Sequence, residues 1–97
     1  MTRRFILRAR AEHDIQSAFE WYESQRAGLG TEFLLALRER LEAVRAHPES
    51  NPVLYREIRR AVVSRFPYLI FYVARPERVA ILAVLHHARN PAFWPRR

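Results

Sequence analysis

The spacing of hydrophobic residues changes twice along the chain, and each change marks a different kind of element. Residues 4–8 hold a short apolar run, which is typical of a strand. From about Ala9 the apolar side chains recur every three or four positions, which predicts an amphipathic helix that ends within residues 25–28. The same spacing over residues 31–47 predicts a second helix. The apolar stripes are Ile15, Ala18, Phe19 and Tyr22 on the first helix and Phe33, Leu34, Leu37, Leu41 and Val44 on the second.

Both glycines of the chain lie between the two predicted helices, at Gly28 and Gly30. Glycine adopts backbone conformations that other residues avoid, so its use here favours a tight turn. Pro48 and Pro52 close the second helix, because proline cannot continue it. We therefore expect an antiparallel helical hairpin.

The second half of the chain has the shorter apolar runs that are typical of strands. Strand residues are expected on both sides of residues 56–60, then at Tyr68–Ala74 and at residues 79–85, with a short hairpin turn at residues 75–78. The predicted order of elements is β-α-α-β-β-β. The length and this order predict one α+β domain over residues 1–97.

The last predicted strand does not alternate apolar with polar residues, so both of its faces should be covered. Two helices in so short a chain can cover only one face of the sheet. Either long side chains such as Phe71, Tyr72 and Trp94 cover the second face, or a partner protein does.

The composition narrows the classes of partner. All 17 basic residues are arginine, against 10 acidic residues, and the net charge of +7 favours an anionic partner. The chain has no cysteine, which excludes disulfides and thiolate chemistry. No apolar run is long enough to span a membrane, so we expect a cytoplasmic protein. We expect no metal and no cofactor.

Three segments and eight single residues together form a pattern that covers nearly the whole chain. They are residues 65–68, 70–72 and 81–86, together with Ala11, Asp14, Ile15, Leu29, Gly30, Phe33, Leu37 and Pro48. No single motif among them is specific, but the combination resembles toxins of the RelE/ParE superfamily from bacterial toxin–antitoxin modules. The resemblance implies a RelE-like fold, in which a small, mostly antiparallel sheet packs against a helical hairpin, and it implies a cognate antitoxin that binds the toxin as a hetero-oligomer.

Two activities occur within that superfamily. RelE-like toxins resemble ribosome-dependent mRNA endonucleases, which use a set of basic residues to stabilise the transition state at the phosphate. ParE-like toxins lack much of that set and bind DNA gyrase. Where the nuclease group carries an arginine, this sequence has Leu69 or, one position away, Tyr68, and its tail has no tyrosine. The resemblance is therefore closer to the ParE group, which implies a gyrase inhibitor that performs no catalysis. The alternative is an mRNA interferase that uses Arg59, Arg65, His86 and Arg89; a second alternative is a small basic nucleic-acid-binding module.

Nine residues are candidates for partner binding. Arginine and aromatic residues are commonly the energetic centres of interfaces. Each candidate also has a plainer interpretation: a histidine can cap a strand end, arginines can protect a sheet edge, and the tail aromatics can seal the core. The candidates are Trp21, Arg59, Arg60, Arg65, His86, His87, Arg89, Phe93 and Trp94.

Overall fold

The computed structural model describes residues 3–88 and contains a helical hairpin and a five-stranded sheet. The chain begins with a strand and the two helices, and the remaining strands follow. A short 3-10 helix, Pro48–Ser50, leads into them. The elements are β1 (Arg4–Leu7), α1 (Ala9–Gln25), α2 (Leu29–Ala46), β2 (Val53–Tyr55), β3 (Ile58–Val62), β4 (Tyr68–Ala74) and β5 (Arg78–His86).

The strands lie in the order β1-β5-β4-β3-β2. β1 pairs with β5 in parallel, and every other pair is antiparallel. β1 covers only the first part of β5, because its register ends where Leu7 lies beside Ile81. The predicted α+β fold with a mostly antiparallel sheet is confirmed.

The two helices pack against each other, and the main core lies between them and one face of the sheet. Phe33 and Val44 of α2 are fully buried against strand residues such as Tyr72 and Ile81. Leu34, expected on the apolar stripe, is instead among the exposed hydrophobic residues. Its neighbour Phe33 takes the core position, and consecutive helical residues point about 100° apart.

The chain has one strand more than the predicted order. The residues after Pro52 form two strands, joined by a turn in which Arg56 has a positive φ of 54°. Val53 lies opposite Arg59 and Tyr55 opposite Ile58, which makes this a tight hairpin. Arginine is uncommon in that conformation, and the turn contains neither the Gly nor the Asn that usually indicates one.

Both faces of β5 are buried, and each face is covered by side chains of the protein itself. Phe71, Ala83 and Leu85 form a second apolar cluster on the face without helices, and Leu54, Ile58 and Leu69 pack against it. The β4–β5 register shifts between Phe71 and Tyr72, which lie opposite Ala83 and Ile81. Ala83 therefore lies in the second cluster, whereas Ile81 lies in the main core. The structure thus agrees with the first of the two explanations. Tyr72, however, lies in the main core on the helix side, and Trp94 lies outside the described residues.

Within residues 3–88, neither helix combines the length and the apolarity that a membrane-spanning segment needs.

Candidate functional site

A cleft of about 340 Å³ lies between α1 and the end of β5. We call it the α1–β5 cleft. It brings together two of the predicted partner-binding residues, Trp21 and His86, which are far apart in sequence. Its lining consists of Arg10, Asp14, Ser17, Ala18, Trp21, Tyr68, Val84, Leu85 and His86.

Asp14 joins α1 to the edge of β5 that β1 leaves uncovered. Its Oδ2 accepts a hydrogen bond from the Val84 N–H at 3.0 Å, and its Oδ1 accepts one from Arg10 Nε at 3.0 Å. The main-chain groups of Val84 therefore face away from β4. In an antiparallel pair the main-chain groups of every second residue point in the same direction, so those of His86 also face away from β4. Residues 84–86 thus form a strand edge beside the cleft.

A row of aromatic rings runs across the cleft from the helix to the end of the sheet. Trp21 meets Tyr22 edge-on at 5.1 Å between ring centroids, and Tyr22 lies 6.0 Å from Tyr68. Tyr68 in turn meets the His86 ring edge-on at 5.2 Å. Trp21 is 45% exposed, which makes it the accessible end of this row.

The His86 ring is held at the end of β5 by a local hydrogen bond. Its Nδ1 accepts from the Ala88 N–H at 3.0 Å. An accepting Nδ1 carries no proton, so the neutral ring places its proton on Nε2. The contact matches the plainer interpretation of this residue as a strand-end cap, and partner binding by His86 stays a prediction.

Two other predicted residues, Arg60 and His87, meet on the face of the sheet without helices. They line a cleft of about 370 Å³ with Val62, Pro67, Tyr68 and Leu69. His86 and His87 therefore point to different sides of the sheet, as expected of consecutive residues at a strand end.

Arg59 lies on the helix side and is engaged with main-chain carbonyl groups. Its NH1 donates to Asn51 O at 2.5 Å and to Glu49 O at 3.4 Å. The neighbouring Tyr72 hydroxyl donates to Pro48 O at 2.6 Å and accepts from Asn51 Nδ2 at 3.1 Å. Burial raises the pKa of Tyr72, although the hydrogen bond from Asn51 and the nearby positive charge of Arg59 oppose this. Arg59 thus helps to fix the segment that precedes β2.

Of the alternative nuclease residues, the structure describes three, Arg59, Arg65 and His86, and it does not gather these three into one site. Arg59 lies beside Tyr72 and His86 beside Tyr68, four positions apart on β4, which is about 13 Å along the strand. Arg65 lies in the turn before β4 with a φ of 71°, its guanidinium near the Phe66 ring. Arg59 and Arg60, both candidates for partner binding, point to opposite faces of β3. Arg89, Phe93 and Trp94 lie outside the described residues.

Arg10 and Asp14 line the cleft, although neither is among the predicted partner-binding residues. Their spacing of four positions on a predicted helix indicates an ion pair, and the structure contains it. The contact between Asp14 and Val84 joins residues 70 positions apart and leaves no local signal in the sequence.

Comparison with known proteins agrees with this geometry. A helical hairpin on a mixed, mostly antiparallel sheet is the fold that the resemblance to RelE/ParE toxins implies. The family model described as the ParE toxin of the type II toxin–antitoxin system parDE matches residues 5–91. The chain therefore belongs to the ParE toxin family, whose members function with a cognate antitoxin.

A solved structure of the chromosomal ParDE toxin–antitoxin system from P. aeruginosa has the same fold. The match has a TM-score of 0.77 and covers 88% of this chain and 96% of that one. The two sequences are 11% identical, so this likeness concerns the fold alone. No curated protein matches the chain.

Proposed function

We propose that this toxin arrests growth by binding DNA gyrase in the cytoplasm, performs no catalysis of its own, and is neutralised by its cognate antitoxin. Membership of the ParE family supports a toxin of this group. On this proposal the toxin acts by binding one state of gyrase better than another, which shifts the equilibrium of the enzyme between its states.

The separation of Arg59 and His86 favours a toxin that acts by binding over one that acts by catalysis. A ribonuclease site needs its basic and proton-transferring groups around one phosphate. Here the Arg59 guanidinium is engaged with main-chain carbonyls, and the strand positions of Arg59 and His86 lie about 13 Å apart along β4. Leu69, which with Tyr68 is one of the two candidates for the position where nucleases of the superfamily carry arginine, packs against the apolar cluster of Phe71.

The α1–β5 cleft supplies a docking site for the antitoxin. Aromatic side chains are commonly the energetic centres of protein interfaces. The cleft contains the exposed indole of Trp21, which suits such an anchor. An antitoxin segment that lies in this cleft would cover both Trp21 and His86.

Assays with purified toxin and gyrase distinguish gyrase inhibition from mRNA cleavage. We expect the toxin to inhibit supercoiling and to increase the cleaved DNA–gyrase complex, and we expect the antitoxin to reverse both effects. Translating ribosomes with a labelled mRNA form the second arm, in which we expect no cleavage. An unaffected gyrase together with codon-dependent cleavage of the mRNA would instead establish the interferase.

A further inference from the structure

Three arginines that sequence analysis did not single out share one end of the helix-free face. Arg4 and Arg78 are direct neighbours on the parallel strands β1 and β5. Arg8 and Arg78, together with Arg75, line a cleft of about 140 Å³ whose apolar lining is Val73, Ala80 and Leu82. Val79 and Ile81, the alternate residues of β5, face the helices, so Arg78 faces away from them. We call Arg4, Arg8 and Arg78 the arginine face.

Within residues 3–88 the arginine face forms no ion pair. All ten acidic residues of the chain lie within residues 3–88. None of them forms an ion pair with Arg4, Arg8 or Arg78 among the described residues, whereas the adjacent Arg75 is paired with Glu57. All three arginines are exposed.

The arrangement is electrostatically unfavourable for the toxin alone. Adjacent strands lie about 4.8 Å apart, so Arg4 and Arg78 place two positive charges side by side. Like charges directly opposite on neighbouring strands destabilise a sheet. An anion that lies against both guanidinium groups would remove this repulsion, and phosphate suits the planar donor geometry of arginine.

The spacing and chemistry of the arginine face fit the backbone of a nucleic-acid duplex. Arg4 and Arg8 are four residues apart in extended chain, about 13 Å, which corresponds to about four base-pair steps. Single-stranded nucleic acids are bound largely by stacking on aromatic rings. The apolar lining of the cleft is aliphatic and offers no such ring.

We propose that the arginine face binds the phosphate backbone of duplex DNA. The choice of DNA rests on the proposed function, because gyrase holds a DNA duplex and a toxin bound to gyrase lies close to it. The contact is separate from the α1–β5 cleft, since that cleft opens between α1 and β5 whereas the arginine face lies on the side without helices.

Binding of a labelled short DNA duplex at several salt concentrations tests this proposal. The variant that combines Arg4→Gln, Arg8→Gln and Arg78→Gln is compared with the control that combines Arg26→Gln, Arg38→Gln and Arg56→Gln. Both variants lose the same charge. Each lost phosphate contact reduces the slope of log K against log salt by about 0.9, so the first variant should lose about 2.7 and the control less than about 1.

A variant with lysine at the three positions checks that charge, rather than folding, is responsible. It should keep most of the slope, and circular dichroism should show the same melting behaviour for all variants. An equal loss of slope in the glutamine variant and its control would overturn the proposal, because binding would then depend on net charge alone. Stronger binding of an RNA duplex or of single-stranded DNA would overturn the choice of duplex DNA.

The gyrase assay separates this inference from the proposed function. If the wild-type toxin inhibits gyrase and the glutamine variant inhibits it equally well, the arginine face is not used on gyrase-bound DNA, and the inference fails alone. If the wild-type toxin leaves gyrase unaffected but the slope on free DNA falls as expected, the proposed function fails and the DNA contact remains.

Discussion

The carboxylate of Glu23, near the end of α1, caps the start of α2 at Gly30. Its Oε1 accepts from the Gly30 N–H and its Oε2 from the Gly28 N–H, both at 2.8 Å. The first N–H groups of a helix have no partner within the helix, and the helix dipole favours a negative charge there. One side chain thus fixes the hairpin turn between the two helices.

Gly30→Ala should destabilise the protein by about 1–3 kcal/mol, as overpacking does. An added Cβ would lie 2.7 Å from Glu23 Oε1 and 2.7 Å from the Phe19 ring, so the cap or the ring must move. Elsewhere in helices, alanine is more stable than glycine by about 0.5–1 kcal/mol. Denaturant unfolding measures the difference, and unchanged or increased stability would contradict the close contact.

Gly28→Ala separates backbone strain from crowding. Gly28 has a φ of 91°, and a Cβ there would meet no atom within 4 Å. We expect a cost of about 1–2 kcal/mol, which comes from the left-handed conformation alone. The combination with Glu23→Ala distinguishes the two glycines: this change removes the carboxylate that a Cβ at Gly30 would meet, so the cost of Gly30→Ala should shrink in that background, and the cost of Gly28→Ala should persist.

Asp14→Ala should destabilise the protein by about 1–3 kcal/mol, because the Val84 N–H loses its acceptor at a partly buried position. Asp14→Asn is the matched control. It keeps an oxygen for Val84 and loses only the ion pair with Arg10, worth about 0.3–0.5 kcal/mol at such a position. Thermal unfolding compares the two variants, and equal losses would show that the ion pair, rather than the strand edge, is what matters.

Stability should fall at alkaline pH through Tyr72. Its folded pKa is raised above the ordinary value of 10.0, mainly by burial, so the folded state keeps the proton more tightly than the unfolded state does. This contribution is complete below pH 10 and is lost as the pH rises toward the folded pKa, at up to about 1.4 kcal/mol per pH unit.

Tyr72→Phe tests that alkaline loss. The variant should be about 1 kcal/mol less stable at neutral pH, since the hydroxyl bonds to Pro48 O and Asn51 disappear, and its stability should fall less above pH 10. Tyr55→Phe serves as the control, which should retain the wild-type pH profile. Unfolding curves at successive pH values give both quantities, and identical profiles for the two variants would contradict the assignment to Tyr72.

The sequence predicts the helices and strands well because their periodicity is local. It predicts their mutual contacts less well. Arg59 and Arg60 look like a patch in the sequence, yet strand alternation sends them to opposite faces. The turn at Arg56 contains no glycine or asparagine that would indicate it, so the predicted order counts one strand where the structure has β2 and β3. The α1–β5 cleft depends on a contact between Asp14 and Val84 that only the folded chain creates.

Trp21→Ala should weaken antitoxin binding by about thirtyfold or more, as for an interface residue worth about 2 kcal/mol. The fold should tolerate it, since the indole is 45% exposed. Val53→Ala is the control, because Val53 is 49% exposed on β2 at the other edge of the sheet, and its affinity should not change. Calorimetric titration with the antitoxin measures both.

A Trp94→Phe background provides a second measurement of the same contact. The chain has two tryptophans, so Trp21 is then the only fluorescent indole. Antitoxin binding should protect it from a soluble quencher. Unchanged quenching in a saturated complex would place the antitoxin elsewhere on the toxin.

His86→Ala and Arg59→Gln should each leave growth arrest and gyrase inhibition within about threefold of the wild-type toxin, as for residues outside the contact. An mRNA interferase would instead lose its activity with either residue, since both belong to its candidate catalytic set. Arg59→Gln also removes the hydrogen bonds to Asn51 O and Glu49 O, so its stability must be measured beside its toxicity. Induced growth, the supercoiling assay and circular dichroism supply the three readouts. A folded His86→Ala protein that no longer arrests growth but still inhibits gyrase would contradict the gyrase proposal and favour catalysis at the end of β5.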